Sequence, residues 1–358
     1  MELDVFIKEN GITVNCEIKN KSSSCSFRLA KSLVFHTDYP YTCKDVKVPF
    51  LPDLVEYTFQ NLSSSLRFSY EGSLEGYFCY FTDMVVHFSF YNAWYPMVDY
   101  HKEPYTIWIH GFHDYICVQG VYDKKVDAWL CHVNKMENLT DCNILLVKKE
   151  QCYIYDSESL KLISVYKQNK VVLSLIRAYE RIYTYYCELY EKDKLGKHWI
   201  VFLPSPNEGE GAYKRNHLIV YSCIPDNPKK AEHILAHEMA HSYAFGADAN
   251  TWQDWLNETH AEWSAMAYWY DTNRMFFEER LFKLLDDKPL HLNPVQEKRP
   301  HDVHITGSRL YARIYQKYGI GEIKKLLLAF DKLPSKDTAH FLKEIPEEIA
   351  EMIQLYLI

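Results

Sequence analysis

The chain has 358 residues, 47% hydrophobic and 25% charged, a balance typical of a folded globular protein long enough for two domains. Its formal net charge of −8 comes without any run of basic residues, which argues against a nucleic-acid-binding surface. The first residues lack the basic and apolar regions of a signal peptide, and no apolar stretch reaches the roughly 18 residues that cross a membrane. The ten cysteines form no C-x-x-C pair, so we expect free thiols in a cytoplasmic protein without nucleic-acid or membrane partners.

The first part of the chain, residues 1–160, has the pattern of β-structure. Short segments rich in β-branched and aromatic residues, such as the run from Tyr105 to Ile109, are separated by turn-like stretches. No long amphipathic helix interrupts them. We predict an N-terminal domain resembling a β-sandwich.

The second part, residues 161–358, mixes helical and strand patterns. Helical spacing of apolar residues predicts helices over 171–194, 229–245, 253–271, 273–285, 303–318 and 337–357. Two strand-like runs, 198–203 and 218–221, lie among them. The predicted fold class is therefore α+β, with a β-domain followed by a mixed α/β, mainly helical, second domain.

The second domain contains an H-E-x-x-H sequence, His237-Glu-Met-Ala-His241. Histidines four residues apart on a helix share one face, so both imidazoles can point at a single metal ion. Glu238 lies beside the first ligand and can accept a proton from a water at the metal. A pair of exposed helix histidines without a metal is the alternative.

A third ligand is needed because catalytic zinc usually takes three protein ligands and one open position. Glu258 follows His241 after sixteen residues, enough for a loop and a returning helix. Glu262, one helical turn later, is a candidate to accept a hydrogen bond from a ligating histidine. His233 and His260 are competing ligands, but their positions favour surface or core roles.

These segments resemble the gluzincins of the aminopeptidase N family, in which the third zinc ligand is the Glu of a W-L-N-E sequence. Trp255 to Glu258 match those letters, although the family usually has eighteen residues where this chain has sixteen. Short β-domain motifs also resemble the family: residues 69–72, 94–96 and 105–109. The resemblance implies a thermolysin-like catalytic domain, a zinc cofactor held by His237, His241 and Glu258, a peptide or protein substrate, and no counterpart of the large members' helical C-terminal domain.

One departure from the family concerns substrate binding. The aminopeptidases have a G-x-M-E-N strand whose Glu binds the substrate amino terminus, but here Lys214 falls at that position, in the stretch 211–216. Because a cation repels an ammonium group, endopeptidase or otherwise atypical activity is favoured over standard aminopeptidase activity. Tyr213, Lys214 and Arg215 are then candidate substrate-binding residues; basic decoration of an edge strand is the alternative.

A second departure concerns the oxyanion. The family uses the Tyr of a Y-x-x-G sequence, and here His304 precedes Gly307 by three residues. An imidazole can donate the same hydrogen bond, so His304 is the candidate oxyanion donor, with Tyr311 and Tyr315 as alternatives. These substitutions leave two other functions open: an inactive peptide-binding or scaffold protein, and a zinc hydrolase of a non-peptide substrate. The sequence does not predict the oligomeric state.

Overall fold

The computed structural model describes residues 1–9, 11–19, 23–48, 51–62, 65–98, 104–133, 142–167, 169–193, 196–203, 205, 211–215, 217–286, 299–300 and 302–357. The chain divides into two compact units. The first comprises Met1–Lys167, Lys197–Gly211 and Arg215–Cys223, and the second comprises Gln168–Gly196, Ala212–Lys214 and Ile224–Ile358. The domain boundary predicted near residue 160 remains a prediction.

The first unit is built from β-strands. In chain order these are β1 Glu2–Lys8, β2 Gly11–Lys19, β3 Ser24–Ala30, β4 Val34–His36, β5 Tyr41–Val46, β6 Leu54–Gln60, β7 Ser65–Ser73, β8 Cys79–Phe81, β9 Val85–Phe88, β10 Tyr105–His110, β11 Tyr115–Cys117, β12 Gly120–Asp123, β13 Ala128–Val133, β14 Ile144–Lys148, β15 Tyr153–Asp156, β16 Leu160–Ser164, β17 His198–Phe202 and β19 Leu218–Tyr221. Strand β18, Ala212–Arg215, is divided between the two units.

Three sheets form the N-terminal part of the first unit. The strand orders are β12-β13-β10-β1-β2-β7-β4, β11-β14-β9-β8 and β3-β6-β5. Strand pairs are antiparallel except β1 with β10. Alternate residues are buried, as the two-residue period of a half-buried strand requires: Leu3 and Val5 on β1 face the core. Trp94 Nε1 donates to the Cys142 carbonyl at 2.9 Å, so its polar atom is paired inside that core.

A fourth sheet has the order β15-β16-β17-β19-β18. Strands β16, β17 and β19 run parallel, and nearly every residue of β17 and β19 is buried. Parallel strands that are covered on both faces consist of continuous runs of apolar residues. This is why β17 and β19 could be predicted from the sequence.

The second unit is helical. Its helices are α1 Lys170–Leu189, α2 Pro228–Ala240, α3 Asp254–Thr272, α4 Arg274–Asp286, α5 Val303–Tyr318, α6 Ile320–Lys332, α7 Thr338–Glu344 and α8 Glu347–Gln354. Helix α3 is central: it is buried from Asp254 to Trp269 and packs against α2, α4, α5 and α6. A helix that is buried all round accommodates polar side chains only where they find partners.

Two sequence predictions for this unit were wrong in detail. The helix expected over 337–357 is two helices, because Pro346 between α7 and α8 cannot continue the helical hydrogen bonding. Helix α6 was missed, although Ile323, Leu326, Leu327 and Phe330 are buried at helical spacing. The predicted strands 198–203 and 218–221 and the remaining predicted helices agree with the structure to within five residues at their ends.

No helix within the described part of the chain is both long and apolar enough to cross a membrane. All ten cysteines lie in described segments and carry free thiols.

Candidate metal centre

Helix α2 presents its two predicted ligands on one face. The helix begins at Pro228 after Asn227, whose Oδ1 accepts a hydrogen bond from the Lys230 amide at 2.8 Å. It ends at Ala240, but His241 keeps helical backbone angles (φ −60°, ψ −9°). The His237 and His241 rings therefore lie one above the other, with centroids 5.0 Å apart.

Helix α3 contributes a row of three carboxylates facing this pair. Asp254, Glu258 and Glu262 are spaced four residues apart, so they occupy one face over two turns. Their exposed fractions are only 2%, 8% and 8%. Ionised carboxylates at such depth require positive or hydrogen-bonding partners.

The middle carboxylate meets both histidines of α2. Glu258 Oε2 lies 3.3 Å from His237 Nε2 and 3.8 Å from His241 Nε2. The opposite ring nitrogens face acceptors: His237 Nδ1 is 3.3 Å from Glu262 Oε2, and His241 Nδ1 is 3.4 Å from the Ala244 carbonyl oxygen. Because an acceptor at Nδ1 selects the tautomer with its proton there, each ring in its neutral form has its lone pair at Nε2. The Nε2 lone pairs of the two neutral rings and Glu258 Oε2 are thus directed towards one another.

The donor set fits a zinc ion. Ligand atoms from His237, His241 and Glu258 all lie within 4.8 Å of one another. Tetrahedral zinc with bonds near 2.0–2.1 Å needs ligand atoms about 3.3 Å apart, close to the two distances to Glu258 Oε2. That oxygen lies among three imidazole nitrogens, the third being His304 Nδ1 at 2.7 Å. A cation bound there would share it with the two histidines of α2.

The pKa values follow from the same contacts. Burial alone would raise the pKa of Glu258, but His237, His241 and His304 outweigh it and hold that pKa well below its usual range. Burial alone would lower the pKa of His237, but hydrogen bonds to Glu258 and Glu262 raise it well above its usual range. Burial lowers the pKa of His241 to about 3. Without a metal, a proton on His237 therefore supplies the positive charge that Glu258 needs.

The third carboxylate of the row is fully paired. Glu262 Oε2 accepts from His237 Nδ1 and lies 3.0 Å from His233 Nε2, while Arg280 on α4 donates to Glu262 Oε1 at 2.7 Å. Burial alone would raise the pKa of Glu262, but His233 and Arg280 hold it well below its usual range. Glu262 thus contacts the ring nitrogen of His237 that points away from Glu258, and its predicted role as the partner of a zinc ligand stays a prediction.

The first carboxylate of the row is paired with Arg299, which the sequence had not indicated. Arg299 Nε donates to Asp254 Oδ2 at 2.6 Å. Its NH2 group lies 3.5 Å from Glu258 Oε1 and 3.3 Å from His304 Nε2. His304, whose side chain is 54% exposed, places Nδ1 at 2.7 Å from Glu258 Oε2. The candidate oxyanion donor is therefore beside the predicted third ligand, Glu258.

Comparison with solved structures shows a shared fold at low sequence identity. Leukotriene A4 hydrolase from Saccharomyces cerevisiae matches with a TM-score of 0.66 and 12% identity over 99% of this chain and 65% of the yeast chain. The M1 zinc metallopeptidase from Deinococcus radiodurans matches with a TM-score of 0.64 and 10% identity over 100% of this chain and 93% of that chain. The fold is that of the M1 metallopeptidases.

These matches are structural only. No protein-family model and no curated protein matches the sequence. The chain spans 65% of the length of the yeast hydrolase, slightly under two thirds. The similarity to a two-domain M1 zinc metallopeptidase extends over 99% of this chain and 93% of that chain. The mixed α/β architecture predicted from sequence agrees with this fold.

The other predicted site residues differ in their surroundings. Glu238 is half-buried on α2, directly after His237. On β18, Tyr213 is buried, and Lys214 lies near enough to His241 to lower the pKa of that histidine, although burial is the larger cause. Arg215 stacks its guanidinium on Phe90 at 4.3 Å, within the first unit. That contact gives Arg215 a packing role, and its predicted role in substrate binding stays untested.

His233 and His260, the competing candidates for metal ligands, have polar partners other than Glu258. His260 is buried, with Nδ1 2.6 Å from the Leu256 carbonyl oxygen and Nε2 3.0 Å from the Tyr311 hydroxyl. His233 contacts Glu262 rather than Glu258. The residues that sequence reasoning missed are Asp254, Arg280 and Arg299. Only Asp254 had a local signal, since it precedes Glu258 by four residues on a predicted helix.

Proposed function

We propose that this chain is a zinc-dependent hydrolase that cleaves peptide bonds, with His237, His241 and Glu258 as metal ligands and Glu238 as general base. The observation that carries the proposal is the buried carboxylate row of α3. Arginines pair its two outer members at 2.6–2.7 Å, whereas the middle one, Glu258, faces three imidazole nitrogens and meets a guanidinium only at 3.5 Å. A divalent cation is the partner that this geometry accommodates.

The charges support a metal rather than an ion pair alone. A row of three buried carboxylates is met by two guanidinium groups, which leaves one negative charge to be offset. A proton on His237 offsets it in the metal-free chain, at the cost of protonating a buried imidazole. Metal binding replaces that proton and uses both imidazoles as neutral ligands, so it is expected to release a proton.

Zinc, when bound, would polarise the scissile carbonyl and lower the pKa of a water to about 7. Glu238, next to the first ligand in sequence, would accept the proton of the attacking water and later deliver it to the leaving nitrogen. Glu262 would keep the His237 ring in the tautomer that leaves Nε2 unprotonated. For His304, the proposal is a hydrogen bond to the developing oxyanion, which requires the ring to turn away from Glu258.

The structurally similar M1 metallopeptidases favour a peptide substrate, and Lys214 on β18 bears on how a peptide would bind. The Deinococcus enzyme was solved with a Tyr-Ser-Ala substrate. In this chain Lys214 disfavours binding of a free amino terminus near His241, because two positive charges repel. We therefore propose endopeptidase or atypical cleavage, with Tyr213, Lys214 and Arg215 as the untested candidates for substrate contact.

The experiment combines metal analysis with peptide hydrolysis. Purified protein should contain about one zinc per chain and cleave internally quenched peptides faster than chromogenic substrates with a free amino terminus. Glu238→Gln should keep the metal and lose several orders of magnitude in kcat, because the base is removed and no ligand is. Glu278→Gln, on an exposed carboxylate of α4, is the control and should match the parent chain.

Two other outcomes define the alternatives. If the chain binds the metal but hydrolyses no peptide, and Glu238→Gln changes neither property, the result would support an inactive peptide-binding or scaffold protein. Turnover of an epoxide or small amide, but not of peptides, would support a non-peptide hydrolase, a class to which the yeast neighbour belongs by name. Absence of bound metal in the folded protein would overturn the proposal.

A further inference from the structure

Arg299 connects three groups around the proposed third ligand. Its Nε is bonded to Asp254, and a single nitrogen, NH2, lies within reach of both Glu258 Oε1 and His304 Nε2. The guanidinium is largely buried, as are both carboxylates. A buried guanidinium with a fixed fork of donors can hold several acceptors in one arrangement.

The contact with His304 determines where that ring carries its proton. A guanidinium does not deprotonate in proteins, so the nitrogen that faces it must be the acceptor. Nε2 of His304 therefore has the lone pair, and the proton of the neutral ring is on Nδ1, which faces Glu258 Oε2 at 2.7 Å. Through this ring, Arg299 acts on the second oxygen of the same carboxylate.

Asp254 explains why a cation is needed at this end of the row. It lies one helical turn before Glu258 on the same face of α3, and like charges at this spacing repel. Asn257 Nδ2 donates to Asp254 Oδ1 at 2.8 Å, so the aspartate is held from the other side too. Asp254 thus fixes the direction of the Arg299 fork, while Arg299 offsets the repulsion between the two carboxylates.

We propose that Asp254 and Arg299 form a positioning pair that orients the Glu258 carboxylate and the His304 ring for metal binding. The pair touches neither substrate nor metal in this assignment; it acts through Glu258 and His304. The inference rests on the metal centre proposed above. It assigns a role to a charge pair that has no counterpart in the sequence motifs.

The test is zinc affinity, measured on the folded protein by competition with a chromophoric chelator. Arg299→Gln should weaken zinc binding by about 10–100-fold, as is usual when the partner of a ligand is removed. Arg299→Lys should recover part of this loss, because the charge remains but the fork that reaches His304 does not. Arg274→Gln, which breaks an exposed pair with Glu278 in the same unit, is the matched control and should leave affinity unchanged.

A double-variant cycle separates positioning from general destabilisation. If Asp254 acts through Arg299, Asp254→Asn combined with Arg299→Gln should weaken zinc binding no more than Arg299→Gln alone. If instead the two substitutions lower zinc affinity by factors that multiply, their effects are independent and the proposed positioning pair is wrong. The visible spectrum of the cobalt-substituted protein should also change in Arg299→Gln but not in Arg274→Gln, since only the former alters a ligand's orientation.

The outcomes also distinguish this inference from the proposed function. If the parent chain binds zinc and the folded Arg299→Gln and Arg299→Lys variants bind it equally well, the positioning role is wrong while the metal centre stands. If the folded parent chain binds no zinc, both are wrong. Circular dichroism of each variant establishes that it is folded.

Discussion

At the scale of single residues, metal binding at the proposed centre depends on which ring nitrogen of His237 and of His241 is protonated. Glu262 and the Ala244 carbonyl oxygen face the Nδ1 atoms of His237 and His241, so the Nε2 lone pairs are turned towards Glu258. Sequence spacing predicts that two imidazoles share a helix face, but it does not predict their tautomers. Those depend on acceptors supplied by neighbouring elements.

Glu262→Gln tests this dependence directly. The amide keeps the shape but removes the charge that faces His237, His233 and Arg280, so we expect zinc affinity to fall about 10–100-fold. Chelator competition measures the change. Glu278→Gln removes a carboxylate from an exposed pair and should leave affinity unaltered; equal affinity in both variants would contradict a role for Glu262.

His87 makes a separate residue-scale prediction for the β-unit. Burial lowers the pKa of His87 to about 3, whereas a histidine in the unfolded chain has a pKa of about 6.5. Between these values only the unfolded chain binds the proton, so this residue costs no stability above pH 6.5 and destabilises the fold by about 1.4 kcal/mol per pH unit below it. Urea unfolding at pH 7.5 and 5 should show this loss, and His87→Gln should show a smaller one. Identical pH dependence in both proteins would rule out the contribution of His87.

At the scale of elements, Gly307 sets how closely α5 approaches α3. A Cβ at this position would lie 1.8 Å from Thr259 Oγ1 and 2.9 Å from Trp255 Cε3, so a side chain fits only if these side chains or the helix move. Helix α5 also carries His304, three residues earlier. The glycine of the H-x-x-G segment is thus explained by packing: it brings the imidazole within reach of Glu258.

We expect Gly307→Ala to destabilise the protein by about 1–3 kcal/mol, the usual cost of overpacking, and to weaken zinc binding because α5 is pushed away. Denaturant unfolding and chelator competition measure the two effects. Gly321→Ala on α6 is the control, because a Cβ there meets nothing within 4 Å; alanine should be neutral or stabilise that helix by up to about 1 kcal/mol. Wild-type stability in Gly307→Ala would contradict the close contact.

At the scale of the whole molecule, metal binding and folding should be linked. A ligand that binds only the folded state stabilises it by about 2.7 kcal/mol at 100 times its Kd. We therefore expect zinc to raise the Tm of the chelator-treated protein by several degrees and His241→Ala to abolish that rise. Differential scanning fluorimetry with zinc and with magnesium, which prefers oxygen ligands, is the measurement. A shift that persists in His241→Ala would place the zinc elsewhere.

The helices that carry the proposed ligands could be predicted from the sequence because their signals are local. Helix geometry places His237 with His241, and Asp254 with Glu258 and Glu262, on common faces whatever the rest of the chain does. Continuous apolar runs likewise marked the buried parallel strands β17 and β19. The break within 337–357 also has a local cause, since Pro346 interrupts the helical hydrogen bonding between α7 and α8.

The sequence by itself determined the chemical identity of the proposed ligands and base, because their roles follow from residue type and helical period. Only the tertiary structure decided which cations balance the buried carboxylates. Arg280 reaches Glu262 across 18 residues, and Arg299 reaches Glu258 across 41. Such pairings leave no periodic pattern in the sequence, because they arise only when α4 and Arg299 pack against α3. The cost of burying a charge then requires each carboxylate to have a partner.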